Sequence, residues 1–419
     1  MFDDRCLRRG WTIWGLAASA YFVAIFHRMA LGVAGLEAAD RLDVGASALA
    51  YLAALQLLVY LAMQVPAGLA ADRFGPRRTL AVGLLLMAAG EALFAVADGL
   101  PAGLAGRALV GVGDALTFLN VLRIAHAWFP GRMQGLLAAL TGFVGALGQL
   151  LATAPLHLGL EHLGWTATFL LGGAATALLV LVPLMLLRDR PPGVPAPERH
   201  DHLPIVRTLV EAARRPATRH GWFLHVGAMA PFAIVGAVWG VPYMVESQGM
   251  TRGTASTFLL AMVLGFAAAG PTLGLLAGHH EGRQRWLSVA LPALPTVAWT
   301  VLLAWPGGTV PRGVLLAALA LTGIAGGGAM MAFEIARRDA PPVAAGATGA
   351  LVNCGGFLAA PLGALAIGPL IGAAGSPVAV QHAMVPVLVV AAIGTLGCAR
   401  MAWRRRPAAA GARTPIAAD

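Results

Sequence analysis

Two ionisable residues, Arg107 and Asp114, stand seven positions apart in the apolar stretch RALVGVGDALTFLNVLRIAHAWFP, which runs from Arg107 to Pro130. In a helix that spacing returns nearly to the same face, so both side chains share one stripe with Gly111 between them. Each ionised group near the centre of a bilayer costs about 2.5–3.5 kcal/mol on insertion scales. A helix facing only lipid would carry neither, and two on one stripe imply a polar cavity inside a helix bundle. The chemistry open to the pair is non-covalent. A guanidinium can hold an anion and a carboxylate can take up and release a proton, so this helix is expected to line a solute pathway.

The rest of the chain supplies the bundle. Of its 419 residues 58% are hydrophobic and 11% charged, with a mean hydropathy of +0.76, which excludes an ordinary soluble domain. The net charge of +10 would suggest nucleic acid in a soluble protein. Here nearly all the arginines sit in short segments between apolar runs, so the charge reports membrane topology and no nucleic-acid partner is expected. Cys6, Cys354 and Cys398 have no paired spacing. No disulfide, metal site or cofactor is expected from them. Arg5, Arg8 and Arg9 precede a run long enough to span and lacking a small-residue cleavage site, so the run is expected to be retained as the first helix.

Apolar runs of about 20 residues place six spans near 11–34, 47–68, 79–98, 101–124, 135–158 and 165–187, and six more near 220–246, 254–277, 286–305, 312–334, 346–372 and 379–402. The expected architecture is an all-α membrane protein of 12 transmembrane helices in two six-helix bundles. Residues 1–187 form the first bundle, 188–219 a Pro- and Arg-rich linker, 220–403 the second bundle and 404–419 a tail. Arg73, Arg77, Arg78, Arg132, Arg188, Arg190, Arg283, Arg285, Arg337, Arg338 and Arg404 to Arg406 fall on one side, against Arg41, Arg252 and Arg312 on the other. That asymmetry puts both termini and the linker in the cytoplasm, as expected of a multi-pass protein of the inner membrane. The halves also repeat: Gly135 to Phe143 and Gly349 to Phe357 share a Gly-x6-Gly-Phe run. Duplication with a linker is the trace of a transporter whose two bundles rock about a central site.

The loop GLAADRFGPRR, Gly68 to Arg78, resembles the signature between the second and third helices of the major facilitator superfamily, Gly-x-x-x-Asp-Arg-x-Gly-x-Arg-Arg. The resemblance implies a gating role for Gly68, Asp72, Arg73, Gly75, Arg77 and Arg78. Gly68 would permit close helix approach, Gly75 and Pro76 would make the turn, and Asp72 would help close the cytoplasmic side. Within the superfamily, FHRMALGVAG in the first span and RALVGVGDA in the fourth resemble the anion:cation symporter family and its organic-phosphate relatives, as does the AWFPGR that follows. The resemblance places substrate arginines on Arg28 and Arg107 and a protonatable carboxylate on Asp114. The family's acidic residue before the first arginine is His27 here, a second candidate for proton coupling. By residue counting Arg28 and Arg107 lie about 10 Å below the outer boundary and Asp114 about 10 Å deeper.

Tyr21, Gln56 and Asn353 are further candidates to hydrogen-bond the solute, and Trp239 and Tyr243 could line the cavity or form an interfacial belt. Glu91, Gln149, His157 and His225 read as packing or interfacial groups. With His27 neutral, Arg28 and Arg107 against Asp114 leave a cavity charge of +1, which favours a monoanion, and protonation of Asp114 strengthens its hold. The expected function is proton-coupled uptake of a small organic anion (carboxylate, sulfonate or phosphate) by a monomer in the bilayer. Efflux by antiport ranks second, because GFVGALGQLLATAP lacks a Gly-Pro core. Nitrate or nitrite transport and a membrane sensor or enzyme follow.

Orientation is directly testable. Single cysteines at Ser47 and Thr309, in a cysteine-free background, should react with an impermeant thiol reagent outside intact cells, whereas one at Thr208 should not. Labelling at Thr208 would invert the topology.

Overall fold

A computed structural model describes residues 4–130, 133–193, 205–277, 281–338, 340 and 344–404. Their regular elements are helical. The first half contains α1 (Asp4–Leu42), α2 (Ala46–Ala62), α3 (Gln64–Phe74), α4 (Pro76–Ala95), α5 (Leu100–Ala115), α6 (Phe118–Trp128), α7 (Gln134–Leu151), α8 (Ala154–Leu179) and α9 (Leu181–Met185). A short α10 (Ile205–Arg214) precedes the second half. There α11 (Pro216–Ile234) continues through a π-helical segment (Val235–Trp239) into α12 (Gly240–Glu246). It is followed by α13 (Arg252–Ala277), α14 (Glu281–Ala304), α15 (Arg312–Gly328), α16 (Met331–Arg337), α17 (Ala345–Gly372), α18 (Pro377–Ala383) and α19 (Val385–Arg404).

Among the described residues, ten helical stretches are long and apolar enough to cross a membrane, and the shorter apolar helices Ala48–Ala62 and Leu140–Leu151 bring the expected total of twelve. Several spans are broken into two pieces. Met63 alone separates α2 from α3, and α8 turns at Gly164, whose φ of 78° is open to glycine. The first part of α8 thus completes the fifth span, and the second part begins the sixth.

The first span departs from expectation in a way that moves the site. The apolar run ends near residue 34, yet α1 continues through Glu37, Asp40 and Arg41 to Leu42. Glu37 and Asp40, three residues apart on one face, both meet Arg252 of α13, at 3.3 and 2.9 Å, so the charged turns are held rather than frayed. Arg28 therefore lies fourteen residues, about 21 Å, below the end of its helix and not about 10 Å.

Close helix contacts depend on glycine. Gly83 and Gly90 of α4 oppose Gly113 and Gly106 of α5: a Cβ on Gly90 would stand 2.7 Å from the Gly106 carbonyl oxygen, and one on Gly83 2.8 Å from that of Gly113. Seven-residue spacing on both helices makes this a continuous backbone contact, the small-residue packing that membrane helices use. In the chain, Gly90, Gly106 and Gly113 each precede a charged residue: Glu91, Arg107 and Asp114. One step along a helix turns the direction by about 100°. Backbones that touch at the glycines therefore present the charged neighbours to the bundle interior. A Cβ on Gly111 would stand 2.6 Å from the Gln56 carbonyl oxygen, so this glycine brings α2 onto the same helix.

Between the halves, α1 packs on the π-helical segment, α2 on α17 and α7 on α13. At the first of these contacts a Cβ on Gly32 would fall onto the Gly236 carbonyl oxygen.

Gly113→Leu should lower stability by about 1–3 kcal/mol or more, as overpacking does, read as a fall in melting temperature in detergent. Gly349→Ala, with open space at the Cβ position, should leave it unchanged. Equal melting temperatures for the two variants would show that α4 and α5 do not depend on that contact.

Candidate functional site

Asp114 of α5 reaches Arg28 of α1. Arg28 donates from Nε to Oδ2 and from Nη2 to Oδ1, both at 2.7 Å, a two-pronged ion pair whose members are 4% and 0% exposed. The expected 10 Å offset in depth is thus absent, and the longer α1 is the reason. The guanidinium lies against two rings, 4.4 Å from the centre of Tyr60 and 5.0 Å from that of Phe357. Those rings come from opposite halves, α2 and α17, and the Tyr60 hydroxyl accepts a hydrogen bond from Asn353 at 3.4 Å. Arg28 is thereby held by charge at its edge and by π-faces on its sides.

A second cluster sits deeper in the first half. Arg107 donates to Glu91 at 3.3 Å, to the His27 carbonyl at 2.8 Å and to the Gln56 side-chain oxygen. Its guanidinium also lies 5.1 Å from the Phe94 ring centre. His27 Nδ1 is 3.1 Å from Glu91, and Nε2 is 2.8 Å from the Thr176 hydroxyl. Thr176 spends its one hydroxyl proton on the Gly172 carbonyl, at 2.8 Å, so toward His27 it accepts. Nε2 therefore carries a proton. Arg107, His27 and Glu91 are each 0–1% exposed.

The central cavity lies between the halves. Of the residues singled out in the sequence, it is lined by Tyr21, Arg28 and Asn353. Arg107 and Gln56 are absent from the lining and engage each other instead. Trp239 donates to the Ala364 carbonyl at 3.0 Å, and the Tyr243 ring sits 5.7 Å from Trp299, so both pack within the second half. Gln149, read as a packing group, lines the cavity. The +1 expected there omitted Glu91, which opposes Arg107 inside the bundle. Arg28 meets the cavity and its partner Asp114, fully buried and absent from the lining, neutralises it from behind. Glu91 was the one charged residue in the middle of its span, and the signal for it was the glycine before it, matching Gly106-Arg107 and Gly113-Asp114.

The basic loop does structural work on its own side. Gly75 has φ 85°, and a Cβ there would fall onto the Asp189 carboxylate, so glycine is required twice over. Pro76 opens α4. The Arg77 amide donates to Asp189 at 2.7 Å, its Nε donates to the Pro183 carbonyl at 3.0 Å and its Nη2 donates to that of Leu184, tying α4 to the C-terminal end of α9. Arg73 lies over the Phe74 ring, and Arg73 and Arg78 are exposed. A Cβ at Gly68 would be 3.8 Å from Arg123, ordinary contact, so close approach does not demand glycine there in this conformation. The Asp72 side chain, Arg132 and most of the linker and tail lie outside the described residues.

Residues 17–364 match the family model described as Major Facilitator Superfamily. A candidate tartrate transporter of Agrobacterium vitis is 24% identical over 322 residues, covering 73% of each chain. Monocarboxylate transporter 11 of Homo sapiens is 31% identical over 339 residues, covering 76% of this chain and 68% of its own. Among solved structures, a bacterial homologue of the human lysosomal transporter Spinster, inward-facing and occupied, superposes with a TM-score of 0.68. That match has 15% identity and covers 94% of this chain and 96% of the other.

The sealed cluster makes a stability prediction. Glu91→Gln leaves Arg107 with a neutral partner in a dry interior and should destabilise by about 3–5 kcal/mol, as breaking a buried pair does. Glu91→Gln with Arg107→Gln should recover much of the loss. Thermal melts of the two variants in detergent decide it, and an unchanged single variant would remove the pair from the fold's supports.

Proposed function

The chain belongs to the Major Facilitator Superfamily, and on that premise we propose that it is a proton-coupled symporter of a small monovalent organic anion, working by alternating access. The observation that carries this reading is the two-pronged pair that Arg28, a lining residue of the central cavity, makes with Asp114 behind it. While Asp114 is ionised it occupies the guanidinium edge that a carboxylate cargo would need. A proton on Asp114 neutralises it and frees that edge, so the anion binds as the proton does. The site is neutral with neither ligand and neutral with both. Translocation of the empty and the doubly loaded site therefore carries no net charge through the bilayer, whereas either ligand alone would leave a buried ion uncompensated. That asymmetry is the coupling.

His27 and Glu91 engage each other, Thr176 and Arg107, none of which lines the cavity, so their role in this scheme is to position Arg107 and the backbone that carries Arg28, whereas Asp114 holds the lining residue Arg28 itself. Asp114 is the coupling site. The Arg252 bridge to Glu37 and Asp40 spans the two halves at the end of α1 and acts as the outer gate, with both termini cytoplasmic in the inner membrane. The basic loop and Asp72 serve the opposite gate. An organic anion as cargo accords with the names of two relatives, a tartrate and a monocarboxylate transporter.

Reconstituted vesicles test the scheme. Asp114→Asn should retain counterflow exchange of the anion and lose accumulation in response to an imposed pH step, since the amide imitates the protonated acid. Arg28→Lys should lose anion affinity with its charge intact, because the planar fork is gone. In the unaltered protein, uptake of a monoanion should follow the pH gradient and ignore a potassium-diffusion potential. Accumulation by Asp114→Asn in response to the pH step would dismiss Asp114 as the coupling group.

A further inference from the structure

The cavity that Arg28 faces is walled by rings. Phe232 of α11 and Phe266 of α13 stack with centres 4.6 Å apart and planes at 24°. Across from them, Tyr21 of α1 and Phe118 of α6 meet at 5.1 Å, and Tyr60 and Phe357 meet at 5.2 Å beside the guanidinium. All six line the cavity, with Phe333 and the thioethers of Met29, Met229 and Met330. Apart from the two tyrosine hydroxyls, the polar side chains of the described lining are those of Arg28, Gln149 and Asn353, and Arg28 is its one cation.

Such a lining discriminates by desolvation. A dicarboxylate or a polyhydroxy acid entering it gives up water from every hydroxyl and from its second carboxylate, and few partners replace that water. The second arginine that could have met a second carboxylate is committed to Glu91, Gln56 and the His27 carbonyl. A single carboxylate on an apolar body loses little, because its head meets Arg28 and its body meets rings and thioethers. Both halves contribute rings, so a flat body is gripped from two sides, and the grip disappears when the halves part.

We infer that the cargo is an aromatic monocarboxylate: one carboxylate, held by Arg28, on a ring lodged between the aromatic side chains of the two halves. This rests on the anion reading above and narrows it.

Thermal stabilisation and inhibition of counterflow, both with the purified full-length protein, provide the test. The probes are 3-phenylpropionate, propionate, tartrate and the uncharged 3-phenylpropanamide. Half-saturation by 3-phenylpropionate is expected at a concentration at least about tenfold below that of propionate, the order expected from burying one ring, with tartrate weaker still. Phe232→Leu and Phe266→Leu should each shrink the phenylpropionate-to-propionate ratio, whereas Arg28→Lys should weaken both acids in parallel and leave the ratio standing. Propionate or tartrate binding as well as 3-phenylpropionate would overturn the aromatic assignment and leave the anion reading intact. The amide binding as well as the acid would overturn the anion reading itself, and failure of every probe to bind would overturn both.

Discussion

No charge can stand alone in the interior of this bundle, and that requirement fixes how α1, α4 and α5 sit. Arg28 and Arg107 are answered by Asp114 and Glu91, each partner on a different helix. Removing any one leaves an ion in a medium that solvates it poorly, so the three helices are bound to one relative placement. Consecutive residues on α1 serve opposite sides: His27 turns to Glu91 and Thr176, while Arg28 turns to the cavity. The two pairs differ in what surrounds them. Arg107 is enclosed by a carbonyl, an amide and a ring as well as its carboxylate, which makes it a fixed strut. Arg28 has one carboxylate and two π-faces, one of them from the other half of the molecule, so its surroundings change when the halves move.

Backbone contact makes this arrangement geometrically possible. Side chains at Gly83, Gly90, Gly106 and Gly113 would hold α4 and α5 further apart. Short side chains such as those of Asp114 and Glu91 could then not meet guanidinium groups within 2.7 to 3.3 Å. Packing and electrostatics are one constraint here, written in the sequence as glycine followed by charge.

Composition, span count and the charged stripe of the fourth span were all legible in the sequence, because each depends on hydrophobicity or on helical period alone. The resemblance to known motifs put the important residues on Arg28, Arg107 and Asp114. Their pairing was not legible. Counting apolar residues stopped α1 where Glu37 and Asp40 begin, and what carries the helix onward is Arg252, more than 200 residues away. That error misplaced Arg28 in depth and hid its match to Asp114. Arg107 was counted as facing the solute because Glu91, in the middle of another span, gave no local sign of its partner. The aromatic wall was invisible for the same reason: Phe118, Phe232, Phe266 and Phe357 are ordinary residues of apolar helices until folding brings them around one space.

Gly32 and Gly236 meet where α1 crosses the π-helical segment, and neither brings a side chain to the crossing. Interlocked knobs must be lifted out of their holes before two surfaces can turn past each other, which opens a void and requires several rotamers to change together. A crossing of bare backbone has no teeth to disengage. Rotation about that point leaves the separation of the two helices nearly constant, as in a plain bearing. The friction of the movement is thereby displaced to its rim, onto the ions at the end of α1 and the rings around the cavity, where a ligand can alter it.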